Sequence, residues 1–256
     1  MREVIDQMER CVWVPDQPKR IISLVPSQTE LLYDLGLQRE LIGLTKFCVH
    51  PKGFKKEKTI IGGTKSYKLD VIHALKPDLI IGNKEENEQN GIEELAHHFP
   101  VWMSDISNLQ QALDMISRIG HLTHKTKESD VLSQQIRSSF ELLRGSTKEK
   151  VVYLIWKDPM MIAGQGTFIN DMLNKCGFIN LVQSSRYPEL TERDLIELAP
   201  QRLFLSSEPF PFKQKQISYF QRLLPDAKVQ LVDGEMFSWY GSRLTQAPEY
   251  FNTLIQ

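Results

Sequence analysis

Short apolar runs alternate with amphipathic stretches along most of the chain. Ile21 to Val25 is a continuous apolar run, the pattern of a buried parallel strand, and Pro26 stops it. Ser27 followed by Glu30 has the spacing of a capping box, so a helix is expected to start there. Leu31, Leu32 and Leu35 would form its apolar face and Gly36 its end. The pattern then recurs. "ELIGLT" reads as a strand. "LDVIHALKPDLIIG" reads as a helix, a Pro-Asp stop and a strand. "GIEELAHHFPVWMSD" gives a helix, a proline and a strand reaching Met103, and "NLQQALDMISRIGHL" a further helix. Strands alternating with helices predict an α/β layer with a mostly parallel sheet.

From His124 to Gly145 the pattern changes. The stretch has no proline, no glycine before Gly145, and an apolar stripe of Leu132, Ile136, Phe140 and Leu143 at helical spacing. About 20 residues at 1.5 Å each predict a rod of roughly 30 Å, long enough to link two lobes. After Lys150 the alternation restarts. "VVYLIW" reads as a strand, "TFINDMLNKCG" as a helix capped by Thr167, and "TERDLIELAPQRLFLSS" as a helix, a proline and a strand. "ISYFQRLLPDAKVQLVDGEMF" repeats that order, and a last helix is expected from about Thr245. The chain thus divides into an N-terminal α/β lobe over 1–123, a linking helix over 124–145 and a C-terminal α/β lobe over 146–256.

Composition narrows function more than fold. Of the 256 residues 41% are hydrophobic and 25% charged, and the formal net charge is −1, an ordinary balance for a soluble globular protein. No basic excess or stripe points to a nucleic-acid partner. The one dense basic run, "PKGFKKEK", is short, interrupted by Glu57, and reads as a solvated loop. Cys11, Cys48 and Cys176 are far apart and form no C-x-x-C pair, which argues against structural zinc and a disulfide framework. No segment approaches the roughly 18 apolar residues of a membrane span. "MREVIDQMERCVWVPDQPKR" has acids near its start and no apolar run of signal-peptide length. As written, the chain is expected either to stay in the cytoplasm or to have its export signal missing from this sequence.

Motifs for catalysis are absent: no G-x-S-x-G, no Walker loop, no H-E-x-x-H. "GQGTFI" opens like a dinucleotide fingerprint but has Ile169 where the third glycine belongs, and reads as a tight turn before a helix. His97, His98, His121 and His124 have no acidic or cysteine partner at ligand spacing and read as surface. "TKFCVHPKG" is different. Cys48 and His50 follow the second strand, and in an extended chain residues two apart point the same way. They would lie at the carboxyl edge of the sheet, where open α/β folds bind ligands. A buried cysteine with a loop histidine, a ligand-lining His50 and a Cys/His metal site all fit that spacing.

The other unusual chemistry also follows strands. "GGTKSY" carries Thr64, Lys65 and Tyr67, and "GNKEEN" two adjacent acids. "WKDPMMIAGQG" carries Trp156, "SSEPFPF" two phenylalanines, and "GEMFSWYGSR" Glu235, Phe237, Trp239, Tyr240 and Arg243. Aromatic and polar groups converging on a cleft suit a large, flat or hydrophobic ligand. The loops are poor in convergent acid–base pairs, so no catalytic residue, no metal-ligand set and no enzyme activity is expected.

These blocks resemble the substrate-binding proteins of ABC importers for cobalamin, ferric siderophores and haem. The group is also called the helical backbone metal receptor superfamily, or class III periplasmic binding proteins. "VIDQMERCVWVPDQPKRIISLVPSQTELLYDLG" is similar to its opening hairpin and Arg-Ile-x-Ser-Leu-x-Pro-Ser-x-Thr-Glu block. "VIHALKPDLIIG" is similar to its Leu-Lys-Pro-Asp-Leu-Ile strand, and "GTFINDMLNKCGFINL" to its second-lobe helix end.

The resemblance implies two Rossmann-like α/β lobes joined by one long backbone helix, with the ligand in a cleft between the lobes. His50 falls where cobalamin binders carry a tyrosine, Thr64 on a tryptophan, Glu235 on an aspartate and Trp239 on an arginine, so the aromatic slot is distributed differently here. With the loop residues above, the candidate ligand-binding set is His50, Thr64, Lys65, Tyr67, Trp156, Tyr187, Glu235, Phe237, Trp239, Tyr240 and Arg243. Docking to a permease in this family uses one acid on each lobe. Asp70 matches the first, and Glu192 stands beside Arg193 at the second.

The implied protein is a monomer, periplasmic or membrane-anchored. It would carry cobalamin, a ferric siderophore or haem as cargo and hold no covalent cofactor. A different class, a cytoplasmic chelatase-like enzyme or chaperone handling a metal or tetrapyrrole, is the alternative.

Overall fold

The computed structural model describes residues 1–144 and 147–255. Gly145 at the end of the expected linking helix, and Ser146 and Gln256 at the ends of the expected C-terminal lobe, lie outside the described residues. The chain forms two compact units. Unit 1 comprises Met1–Ile106, Gln110–Arg137 and Tyr240–Arg243, and unit 2 comprises Ser107–Leu109, Ser138–Trp239 and Leu244–Gln256. The boundaries therefore differ from a simple split at 123 and 146. Tyr240–Arg243 returns to unit 1 from within the second half of the sequence.

Unit 1 opens with a separate hairpin of β1 (Arg2–Ile5) and β2 (Cys11–Val14). There follow β3 (Ile21–Ser23), α1 (Pro26–Asp34), β4 (Leu41–Leu44), β5 (Thr59–Ile60), α2 (Leu69–Leu75), β6 (Leu79–Asn83), α3 (Gln89–Ala96) and β7 (Val101–Ser104). The strands lie side by side as β5-β4-β3-β6-β7, all parallel. Every residue of β3, β6 and β7 is buried, as a sheet covered on both faces requires.

The start of α1 corrects one expectation. Pro26 occupies the first helical position and Val25 is the N-cap, so Ser27 lies two positions past the cap and no side-chain cap bond forms. Ser27, Gln28 and Thr29 are buried instead of facing water. The Thr29 hydroxyl donates to Val25 O, 3.0 Å away, and Glu30 turns to a partner far along the chain, described below.

Two helices follow, α4 (Leu109–Leu122) and α5 (Thr126–Glu141). The chain passes from unit 1 to unit 2 inside α5, between Arg137 and Ser138. At 16 residues α5 is shorter than the expected rod. Past its end the amides of Leu142 and Leu143 reach back only three residues, to Ser139 O and Phe140 O, the tightening usual at a helix C-terminus. The corner between α4 and α5 is close-packed: a Cβ placed on Gly120 would overlap the Ser129 side chain and stand 3.1 Å from Lys125 O.

Unit 2 contains β8 (Lys150–Trp156), β9 (Met161–Ile162), α6 (Phe168–Lys175), β10 (Ile179–Asn180), α7 (Glu192–Leu198) and β11 (Arg202–Ser206). It continues with α8 (Gln214–Leu223), β12 (Lys228–Val232), α9 (Gly234–Ser238) and α10 (Ala247–Ile255). Its parallel strands run β10-β8-β11-β12, and β9 pairs antiparallel with β8. Thr167 caps α6 as expected, accepting from Asn170 N at 3.1 Å. Strand alternation gives the sheet two different faces. Val152, Leu154, Leu203 and Leu205 belong to an aliphatic cluster with Leu195 and Phe220. Tyr153 and Phe204 point the other way, into rings of Phe178, Phe237 and Phe251, with Phe237 centred 5.0 Å from Tyr153 and 4.7 Å from Phe251. The two-residue strands β5, β9 and β10 are too short to show a period and were not expected. No helix among the described residues is long and apolar enough to cross a membrane.

The α4–α5 corner yields a stability prediction. Gly120→Ala forces the Ser129 side chain or the corner backbone to move, at a cost of about 1–3 kcal/mol. A melting point lowered by roughly 2–10 °C is expected in a thermal scan, and an unchanged one would show that the corner yields freely.

Candidate functional site

In an open parallel sheet, ligands bind beyond the carboxyl ends of the strands, at the point where the strand order reverses. In unit 1 that point lies between β3 and β6, and in unit 2 between β8 and β11.

In unit 1 the loop after β4 turns at Lys46 and Phe47, so Cys48 and His50 do not continue the strand. Cys48 is buried, its sulfur 3.1 Å from the Thr29 hydroxyl and 3.3 Å from that of Thr45. Burial pushes its thiol upward in pKa, which favours an inert, protonated sulfur. All three cysteines are free thiols. Phe47 and Val49, which flank Cys48, are exposed at 50% and 48%. The sequence reading passed over this pair of apolar rim residues. His50 is half-buried and acts electrostatically on Glu30.

Glu30 is the second residue the sequence misassigned. Its carboxylate takes a two-pronged ion pair from Arg243, with Nη2 to Oε1 at 2.6 Å and Nε to Oε2 at 3.0 Å. Both side chains are nearly buried, at 12% and 9% exposure. Burial raises the Glu30 pKa, the guanidinium and His50 pull it back, and Asp34 adds to the rise. Asp34 in turn accepts a short hydrogen bond from the Ser242 hydroxyl. Arg243, singled out from the sequence, therefore binds a glutamate that was read as a cap, and His50 acts on the same carboxylate through its charge. Tyr240, in the same returning segment, is buried.

Thr64, Lys65 and Tyr67 lie in a tight loop closed by the Gly63 amide on Ser66 O. Lys65 is exposed and Thr64 half-buried. The Tyr67 hydroxyl donates to Thr64 O at 2.7 Å, and burial lifts its pKa to about 12.

In unit 2 Glu208 follows β11 and its carboxylate meets the segment that follows β12. One of its oxygens accepts from the Ser238 hydroxyl at 2.8 Å and from the Trp239 indole N–H at 2.9 Å. Burial pushes the Glu208 carboxyl above its ordinary value, the two donors draw it down, and Glu235 and Asp233 add to the rise. Trp239 is thus held by its indole nitrogen and is 6% exposed. Glu235 is half-buried. Phe237 is a correction: it is fully buried in the aromatic face of the sheet, filling core between Tyr153 and Phe251, and has no surface to offer a ligand. Trp156 is 37% exposed at the end of β8 and stands edge-on to Phe210 at 5.5 Å. Tyr187 is half-buried beneath the Arg186 guanidinium. Among the described residues no group of three or more His, Cys, Asp or Glu is placed to hold a metal ion.

Asp70 and Glu192 are exposed in the first turns of α2 and α7. Around Glu192, Asp194 is spent on the Thr191 capping box and Arg193 pairs with Glu197 at 2.8 Å, while Glu192 itself accepts from the Tyr219 hydroxyl.

Beyond its strand ends each unit thus carries buried or half-buried polar side chains and exposed aromatic groups. Residues 21–210 match the periplasmic binding protein family, and the chain belongs to it. It is 26% identical over 208 residues to the uncharacterized ABC transporter substrate-binding lipoprotein YvrC of Bacillus subtilis, spanning 76% of this chain and 66% of that one. It is 24% identical over 241 residues to the vitamin B12-binding protein of Pectobacterium carotovorum, spanning 91% and 86%. Among solved structures, the vitamin B12-binding protein BtuF of Vibrio cholerae aligns over 94% of this chain and 98% of its own, with a TM-score of 0.80 and 21% identity. The petrobactin-binding protein YclQ of Bacillus subtilis aligns over 100% and 98%, with a TM-score of 0.83 and 15% identity. Both share the mixed α/β fold.

Two tests follow from the buried carboxylates. Arg243→Ala leaves Glu30 without its cation and is expected to cost about 3–5 kcal/mol, whereas the paired Glu30→Leu, Arg243→Met variant recovers most of it. Urea unfolding of the three proteins measures this. For Glu208 the folded pKa lies above the unfolded one. Its favourable term is complete below the ordinary glutamate value of 4.5 and is lost as pH rises through the folded pKa. Glu208→Gln cannot titrate, so its melting point relative to wild type should climb between pH 4 and pH 7. A difference that stays flat with pH would count against a raised Glu208.

Proposed function

We propose that this protein is the substrate-binding component of an ABC importer. It captures a metal chelate or corrinoid (cobalamin, a ferric siderophore or haem) on the loops beyond its two sheets and passes it unchanged to a permease outside the cytoplasm. The observation that carries the reading is the chemistry of those loops together with the family membership. In unit 1 they expose Phe47 and Val49, and in unit 2 Trp156. Such surface suits shape, stacking and a few hydrogen bonds to a large ligand. The same membership weighs against the cytoplasmic chelatase or chaperone. Asp70 and Glu192 serve as docking acids, Glu192 oriented by Tyr219.

His50 supplies the imidazole that reaches an open axial position on the metal of the cargo. The test is titration with aquocobalamin, haemin, a ferric catecholate and a ferric hydroxamate, followed by calorimetry and visible spectra. Binding of at least one in the micromolar range or tighter is expected, and no heat and no spectral change with any of them would sink the reading. With aquocobalamin, replacement of water by imidazole shifts the visible band in wild type but not in His50→Ala. An equal shift in both would remove His50 from the metal.

A further inference from the structure

The reversal point of the unit 1 sheet is occupied by the side chain of Asn87, the last residue of the "GNKEEN" stretch. Asn87 is 7% exposed. Its Nδ2 donates to Thr64 O at 2.9 Å and, at 3.4 Å, to Leu24 O just past β3. Its Oδ1 accepts from Asn83 N at 2.8 Å, at the end of β6. One carboxamide therefore ties together the ends of the two strands that flank the reversal point and the loop bearing Thr64 and Lys65.

Its surroundings are built to hold it. The Asn83 carboxamide oxygen accepts from the amides of Glu85 and Glu86, shaping the turn that delivers Asn87. Asn83 Nδ2 and Gln28 Nε2 both donate to the Ser104 hydroxyl, at 3.0 and 2.7 Å, which fixes β6 against β7 and α1. A Cβ on Gly82 would stand 2.7 Å from Asn87 Oδ1 and 2.7 Å from Met103 Sδ, so a bare backbone at that position makes room for the carboxamide. The 62–67 loop lies between β5 and α2 with no regular strand of its own. Asn87 and Tyr67 meet at the same carbonyl, Thr64 O.

We propose that Asn87 is a positioning residue for ligand capture: it sets the height and tilt of the Thr64–Lys65 rim without touching the ligand. The proposal rests on the binding reading above. Its chemistry is asymmetric. The acceptor half of the amide holds β6, and the donor half holds the rim. Asn87→Asp keeps the acceptor for Asn83 N but loses both donors and sets carboxylate charge against two carbonyl oxygens.

The experiment compares wild type, Asn87→Asp, Tyr67→Phe and the double variant. Affinity is measured for whichever of aquocobalamin, haemin, a ferric catecholate and a ferric hydroxamate wild type binds. Amide hydrogen exchange is followed at Gly63 and Lys68, with β11 amides as the control. For Asn87→Asp the expected result is cooperative unfolding, affinity lowered about tenfold or more through faster dissociation, and lost protection at Gly63 and Lys68 alone. Tyr67→Phe should add less in that background than by itself, since both donors act on one oxygen. Unchanged affinity with unchanged loop protection overturns the proposal, and so does protection lost evenly across unit 1, which would make Asn87 a general core residue. If wild type binds none of the four probes, it is the capture reading that fails, while exchange at Gly63 and Lys68 still decides whether Asn87 holds the loop.

Discussion

A parallel sheet sealed on both faces by helices leaves one edge hard to finish. Backbone groups at the carboxyl ends of the strands have used up their ladder partners, and where the strand order reverses the flanking chains diverge and open a gap. Buried polar groups left without partners there would cost on the order of 1–3 kcal/mol each. Both units place polar side chains beyond their strand ends, and in unit 1 the buried Gln28 Oε1 still lacks a hydrogen-bond partner among the described residues. Pro26, with no N–H to offer, stands at the first helical position after β3 in unit 1.

The two solutions differ in kind. Unit 1 uses neutral carboxamides, Gln28, Asn83 and Asn87, around the Ser104 hydroxyl. That network carries no charge and is indifferent to pH. Unit 2 uses a carboxyl group, Glu208, met by an indole and a hydroxyl. Its proton is held more tightly than a solvated glutamate would hold it, and the acids Asp233 and Glu235 nearby reinforce this.

Much of the fold was legible because it rests on local periodicity. The strand–helix alternation and the Thr167 cap are written in spacings of two, three and four residues, and the structure places them as read, while the opening hairpin was expected only from the family resemblance. Expectations failed where the deciding partner was distant. Ser27 and Glu30 have capping-box spacing, but Pro26 takes the first helical position and Arg243, 213 residues away, takes the carboxylate. Phe237 stood in a loop-like stretch of aromatic residues and glycine, and only the packing of Tyr153 and Phe251 on it shows that it is core. Asn87 and Glu208 carry no periodic signal. For Glu208 there was a compositional hint instead, an acid between serine and proline at the head of an aromatic run. The polar run "PSQTE" was the stronger hint: four polar residues opening a helix directly after a buried strand must find partners if they are buried with it.

The grouping of Tyr240–Arg243 with unit 1 has a consequence for how such a protein can be taken apart. A fragment ending at Arg137 would contain Glu30 but not the guanidinium that neutralises it, and a fragment beginning at Ser138 would carry Arg243 without its acid. Neither unit is a continuous stretch of coding sequence. Recombination that exchanged one half for a homologue's would have to preserve this ion pair, and the Ser242–Asp34 hydrogen bond beside it, across the junction.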